Sequence, residues 1–120
     1  MNISFHGAAR IVTGSKHIAQ LDNGKKLPLD CGMFQGHPKE ADRMNRDWGF
    51  EPSEIDYMVL SHAHVDHEYI YRLSCQAAQQ IKELHLVHDE YDVQQVFRSK
   101  LLERGFRAIE IPELHQEYAI

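Results

Sequence analysis

Three short apolar runs, separated by stretches with helical spacing, constrain the second half of this chain more than any other feature. The runs are "DYMVLS" (56–61), "LHLV" (84–87) and "RAIEIPE" (107–113). Between the first two, from about Tyr69 to Lys82, Ile70, Leu73, Ala77 and Ile81 recur on one helical face. Between the last two, Val93, Val96, Phe97 and Leu101 form the expected inward stripe of a second helix. Asp89, Glu90 and Asp92 crowd its start, Arg98, Lys100 and Arg104 sit late, and Gly105 suits the residue just past its end. Strand–helix–strand–helix–strand units place their strands parallel. The 56–61 and 84–87 strands should therefore end on one edge of a sheet, the edge where open α/β sheets bind ligands.

The first half reads differently. "NISFHG" is a strand in which Ile3 and Phe5 alternate with polar neighbours. "KHIAQLDNGKKLPLDCG" reads as a hairpin, with Asn23-Gly24 as a type I′ turn. Pro28 lacks an N–H, which predicts that its arm is an edge or carries a bulge. The charged, Gly- and Pro-marked stretch from Gly32 to Ile55 reads as mostly loop, with room for a short helix. At 120 residues the chain makes one domain of α/β class. A net charge of −5 argues against a general nucleic-acid-binding surface. Cys31 and Cys75 are too few for a disulfide framework, and no signal peptide or membrane span is visible, so a cytoplasmic setting is expected.

Directly after the first of the parallel strands comes "HAHVDH", with His62, His64, Asp66 and His67 in six positions; His88 directly follows the second. Imidazole and carboxylate suit zinc, and also manganese or iron. In extended backbone His62 and His64 point to one side and can grip one ion. Past a bend, Asp66 and His67 can face a second. Two neighbouring ions can clamp the attacking and leaving oxygens of a phosphodiester or acyl displacement. The competing interpretation is a solvated, His-rich loop in a chain with 9 His.

The H-x-H-x-D-H motif after "IDYMVLS" resembles the signature of the metallo-β-lactamase superfamily. "ISFHGAARIVTGSKH" and "LDCGMFQG" narrow the resemblance to the β-CASP branch of RNA-processing nucleases. "LHLVHDEYDVQQVF" and "GFRAIEIPELHQEYAI" resemble the C-terminal end of that branch, where Asp89 replaces the family's usual glycine. The resemblance implies a truncated metallo-β-lactamase-like sheet, with an N-terminal hairpin and a C-terminal βαβαβ unit. It implies that Asp30 braces the metal loops, that His62 and His64 hold a first zinc, and that Asp66, His67 and His88 hold a second. It also implies that the metal activates the attacking water while Asp66, the catalytic candidate, helps orient it.

Family members carry several hundred residues between the two matching halves, including a further zinc histidine, a bridging aspartate, the general-acid histidine and a domain covering the RNA cleft. The resemblance therefore implies one truncated domain, 1–120, built from an N-terminal family segment (1–73) and a C-terminal one (74–120). One zinc is then expected rather than two, RNA binding is weak, and RNA cleavage is impaired. The alternatives are an inactive metal-binding remnant that self-associates through exposed cut surfaces, and an interaction module whose histidines bind nothing. Of the other residues, His6 is a candidate for the outer shell of the site, set against a plain surface histidine. Cys31 reads as a small buried hydrophobe, Trp48 and Phe50 as packing for their own loop, and the remaining histidines as structural or exposed.

Overall fold

A computed structural model describes residues 1–61 and 78–120. Six strands form one sheet in chain order: β1 (Asn2–Phe5), β2 (His17–Gln20), β3 (Lys26–Leu29), β4 (Tyr57–Leu60), β5 (Glu83–Leu86) and β6 (Ile109–Glu110). The first three run antiparallel to one another, and β3 through β6 are parallel neighbours. Two helices, α1 (Pro38–Arg46) and α2 (Tyr91–Glu103), and a 3₁₀ turn (Pro52–Glu54) complete the described elements. This is the mixed α/β sheet expected, with its N-terminal hairpin and its parallel second half. The helix expected from Tyr69 to Lys82 falls mainly on residues outside the description, and residues 78–82 form a turn and bend rather than helix.

The core lies where the parallel strands meet α2. Met58, Leu60, Leu84, Leu86 and Ile109 are buried against Ile55, Ala78, Ile81, Phe97, Leu101 and Phe106. The helix closes as a Schellman motif: Gly105 takes φ +97°, its N–H bonds the Leu102 carbonyl, and the Phe106 N–H bonds that of Leu101. The inward stripe is rotated from the one expected. Gln94, Phe97 and Leu101 are buried, whereas Val93 and Val96 stand 44% and 58% exposed. The cause is polar: Gln94 turns inward to donate its amide to the carbonyls of His88 (2.8 Å) and Leu86 (3.5 Å).

Two expectations for the first half are corrected, and a third is filled in. The hairpin turn is not type I′, because only Gly24 of the Asn23-Gly24 pair has positive φ. Gly24 N–H closes a turn onto the Leu21 carbonyl, and Leu21 N–H pairs with the Lys25 carbonyl. That leaves a three-residue loop ending in a left-handed glycine. Pro28 does not mark an edge; β3 is interior, and Pro28 is fully buried opposite Ile18. Its missing donor leaves a short β3–β4 ladder, with Leu29 alone registered, opposite Val59. The stretch read as mostly loop holds the nine-residue α1, started by Pro38 in its first turn. Buried Asn45 ties it down by bonding both the N–H and the carbonyl of Phe34 (2.8 and 2.9 Å).

Candidate functional site

Strand direction decides which residues can meet. β4 and β5 are parallel, with Leu60 opposite Leu86, and the Val87 N–H reaches the Leu60 carbonyl at 2.9 Å. The chain therefore leaves β4 at Ser61 and β5 at Val87 on the same rim. β3 is parallel to β4, so Asp30 stands there too. The sequence-expected ligands His62, His64, Asp66 and His67 lie outside the described residues. What is described is the backbone from which the first of them departs, and His88 beside it.

Asp30 fixes that departure. Its backbone is left-handed (φ +63°), a conformation that Asp tolerates better than most residues. Its N–H bonds the Val59 carbonyl at 2.9 Å. Its carboxylate accepts from the Ser61 N–H at 2.7 Å and from the Ser61 hydroxyl at 2.9 Å. Both oxygens are thus committed to the residue immediately before His62. Asp30 is half-buried, because it follows the C-terminal end of β3 on the rim of the sheet rather than in the core.

His88 is exposed at the end of β5. His88 and Asp89 both take positive φ, +63° and +84°. A Cβ is penalised in that conformation, most of all at Asp89. The Gln94 amide holds the turn from below through the His88 carbonyl. Asp30 and Gln94 thus do matching work at adjacent strand ends. Among the described residues there is no group of three or more His, Cys, Asp or Glu placed to hold a metal ion.

His6 also lies toward this rim, since its N–H pairs with the Lys16 carbonyl (2.7 Å) just before β2 begins. Its Nε2 bonds the Ser4 hydroxyl (2.9 Å), and its ring meets Phe50 edge-on at 5.6 Å. Desolvation, then the nearby Lys16 ammonium, holds its pKa below the ordinary value. Lys16 was not singled out from sequence, although it shares the β2 alternation with buried Ile18. Its side chain is buried, it donates to the Asp47 carbonyl at 3.4 Å, and desolvation pulls its pKa down. Cys31 is in the core, as expected; Trp48 and Phe50 stand 5.9 Å apart ring to ring and also pack against that core, beyond the loop expected to hold them. His85 is buried, 3.5 Å from a Glu83 carboxylate oxygen and edge-on to Tyr118. Among the described residues, no helix is long and apolar enough to cross a membrane.

Comparison with known proteins agrees with the resemblance. Residues 19–67 match the Metallo-beta-lactamase superfamily. That stretch contains Asp30 and the whole His62–His67 cluster and stops short of His88. The chain is also similar to a ribonuclease of Thermus thermophilus, at 52% identity over 67 residues. The match covers 56% of this chain and 15% of the relative, so the shared stretch is a small part of that protein.

Proposed function

We propose that this chain, which carries a metallo-beta-lactamase superfamily segment over residues 19–67, is a metal-binding protein of the β-CASP ribonuclease type that cleaves RNA weakly or not at all. Asp66, His67 and His88 hold one zinc; His62 and His64, without a bridging carboxylate, hold a second ion poorly. One observation carries the reading. β4 and β5 are parallel and in register at their ends, so the segment beginning at His62 and the exposed His88 depart from one rim. His88 offers there the imidazole donor that zinc takes.

When bound, zinc supplies a Lewis acid that polarises a phosphodiester and lowers the pKa of water. The chain's own share is positioning. Asp30 fixes Ser61 and with it the start of the ligand segment, Gln94 fixes the His88 turn, and Asp66 orients the attacking water. No residue of the chain is assigned to protonate the leaving group, which is why cleavage should be slow. The ribonuclease relative supports RNA as the substrate class by analogy.

Metal analysis of untagged protein tests the site without assuming a substrate. About one zinc per chain, lost in His67→Ala and in His88→Ala, is expected. A parent chain free of metal after purification and zinc dialysis would support the reading in which the histidines bind nothing. Metal-dependent cleavage of a single-stranded RNA, abolished by Asp66→Ala, would show that the chain is an active enzyme. Turnover at rates typical of a complete nuclease would contradict the missing proton donor.

A further inference from the structure

Among the described residues the sheet has two open edges, and they differ. β6 is two residues long, ends in Glu110, and meets Pro112 shortly after. β1 is four residues, all exposed, and carries no charge, proline or bulge of the kind that blocks edge pairing. Ile3 and Phe5 on it stand 49% and 64% exposed.

The ladder fixes what the outer side offers. In the β1–β2 pair, His6 N–H donates to the Lys16 carbonyl, so positions 6, 4 and 2 point their polar groups inward to β2. Ile3 and Phe5 therefore point their N–H and C=O groups outward. Their side chains also share one face, where Phe5 meets His17 edge-on at 5.1 Å.

We propose that β1 pairs antiparallel with β1 of a second copy of this chain, about a two-fold axis through Ser4. A two-fold axis normal to the sheet keeps faces matched only where the paired positions sum to an even number. The register centred on Ser4 sets Ile3 opposite Phe5 of the second copy, twice. Those are the residues whose backbone groups point outward, so the pairing makes four N–H···O=C bonds. It also creates two cross-strand pairs of a β-branched and an aromatic side chain on one face. Asn2 comes opposite His6 of the second copy, and the Ser4 residues meet as a non-hydrogen-bonded pair. The net charge of −5 opposes association, but none of it lies on this strand. A four-residue edge buries much less than the roughly 1,200 Å² of a standard interface, so the dimer exchanges with monomer.

Sedimentation equilibrium of the full chain across micromolar to millimolar concentration tests this. The parent should show a concentration-dependent dimer. Ile3→Pro, which removes an outward donor without touching the β2 ladder, and Phe5→Lys should each weaken it at least about tenfold. Circular dichroism and thermal melts check that both variants stay folded; should Ile3→Pro unfold, Phe5→Lys alone decides. The register has its own readout. Ser4→Cys should form a disulfide-linked dimer under mild oxidation, because facing non-hydrogen-bonded residues lie about 4.5 Å apart at Cα. The parent, with Cys31 and Cys75, is the control. A parent that stays monomeric throughout, a dimer that survives Phe5→Lys in folded protein, or failure of Ser4→Cys to cross-link above the parent would overturn the proposal.

Discussion

Replacing Asp30 by Ala should loosen the rim by an amount the geometry sets. The carboxylate accepts two hydrogen bonds from Ser61, at 2.7 and 2.9 Å. Hydrogen bonds to a charged group contribute about 1.5–3 kcal/mol each, and the half-buried site argues for the lower end. The pair is thus worth about 3 kcal/mol. Aspartate and alanine both carry a Cβ at φ +63°, a strain of about 1 kcal/mol relative to glycine. Asp30→Ala should therefore lose about 3 kcal/mol, and Asp30→Gly about 2. Urea unfolding followed by circular dichroism measures both, and the slope of free energy against urea should stay near the parent value. The order of the two variants matters as much as their size, since glycine relieves only the backbone and neither restores the acceptor. If Asp30→Ala unfolds within about 0.5 kcal/mol of the parent, the Ser61 clamp contributes nothing and the bracing argument fails.

Gln94→Ala should cost about 1–3 kcal/mol by leaving the His88 carbonyl without its partner, and zinc affinity should fall with it; an unchanged melt would discount the bond. Leu101→Ala should cost about 2–5 kcal/mol, since Leu101 is wholly buried and its loss leaves a cavity. For His6 the sign runs toward acid. Its folded pKa lies below 6.5 because desolvation disfavours the cation. The unfolded chain therefore binds the extra proton first, and stability falls as pH drops through 6.5 toward the lowered value. A His6→Gln variant should flatten that part of the stability–pH curve; an unchanged slope there would show that His6 does not cause it.

Periodicity carried most of the fold that could be read in advance. β4, β5 and α2 fall where apolar spacing placed them, because strands buried between layers read as unbroken apolar runs. Side-chain chemistry that overrides hydrophobicity was not legible. Gln94 lies on the buried stripe because of two backbone carbonyls that only the folded β5 end presents, and Val93 and Val96 are displaced from it. A short helix was allowed for but α1 could not be placed, because "PKEADRMNR" has no apolar stripe to mark it; what holds it is Asn45 on the backbone of Phe34. Pro28 misled because tolerance of proline depends on which neighbour its nitrogen faces. Here the cost falls on a ladder that is short anyway.

The site divides along the same line. The candidate ligands from His62 to His67 stand together in the sequence, whereas the residues that aim the rim are dispersed. Asp30 comes from the end of β3, and Gln94 from the first turns of α2. Each holds a neighbouring strand's exit: Ser61 in one case, the left-handed His88–Asp89 turn in the other. Neither clamp uses a residue of the H-x-H-x-D-H motif, so each can be broken while that motif stays intact. If the two clamps work independently, the costs of Asp30→Gly and Gln94→Ala should add in the double variant. If the rim is one cooperative unit, the double variant should lose less than the sum by 0.5 kcal/mol or more, the usual scale for coupled neighbours. The Val87 N–H to Leu60 carbonyl bond joins the two exits directly, and it favours the second outcome.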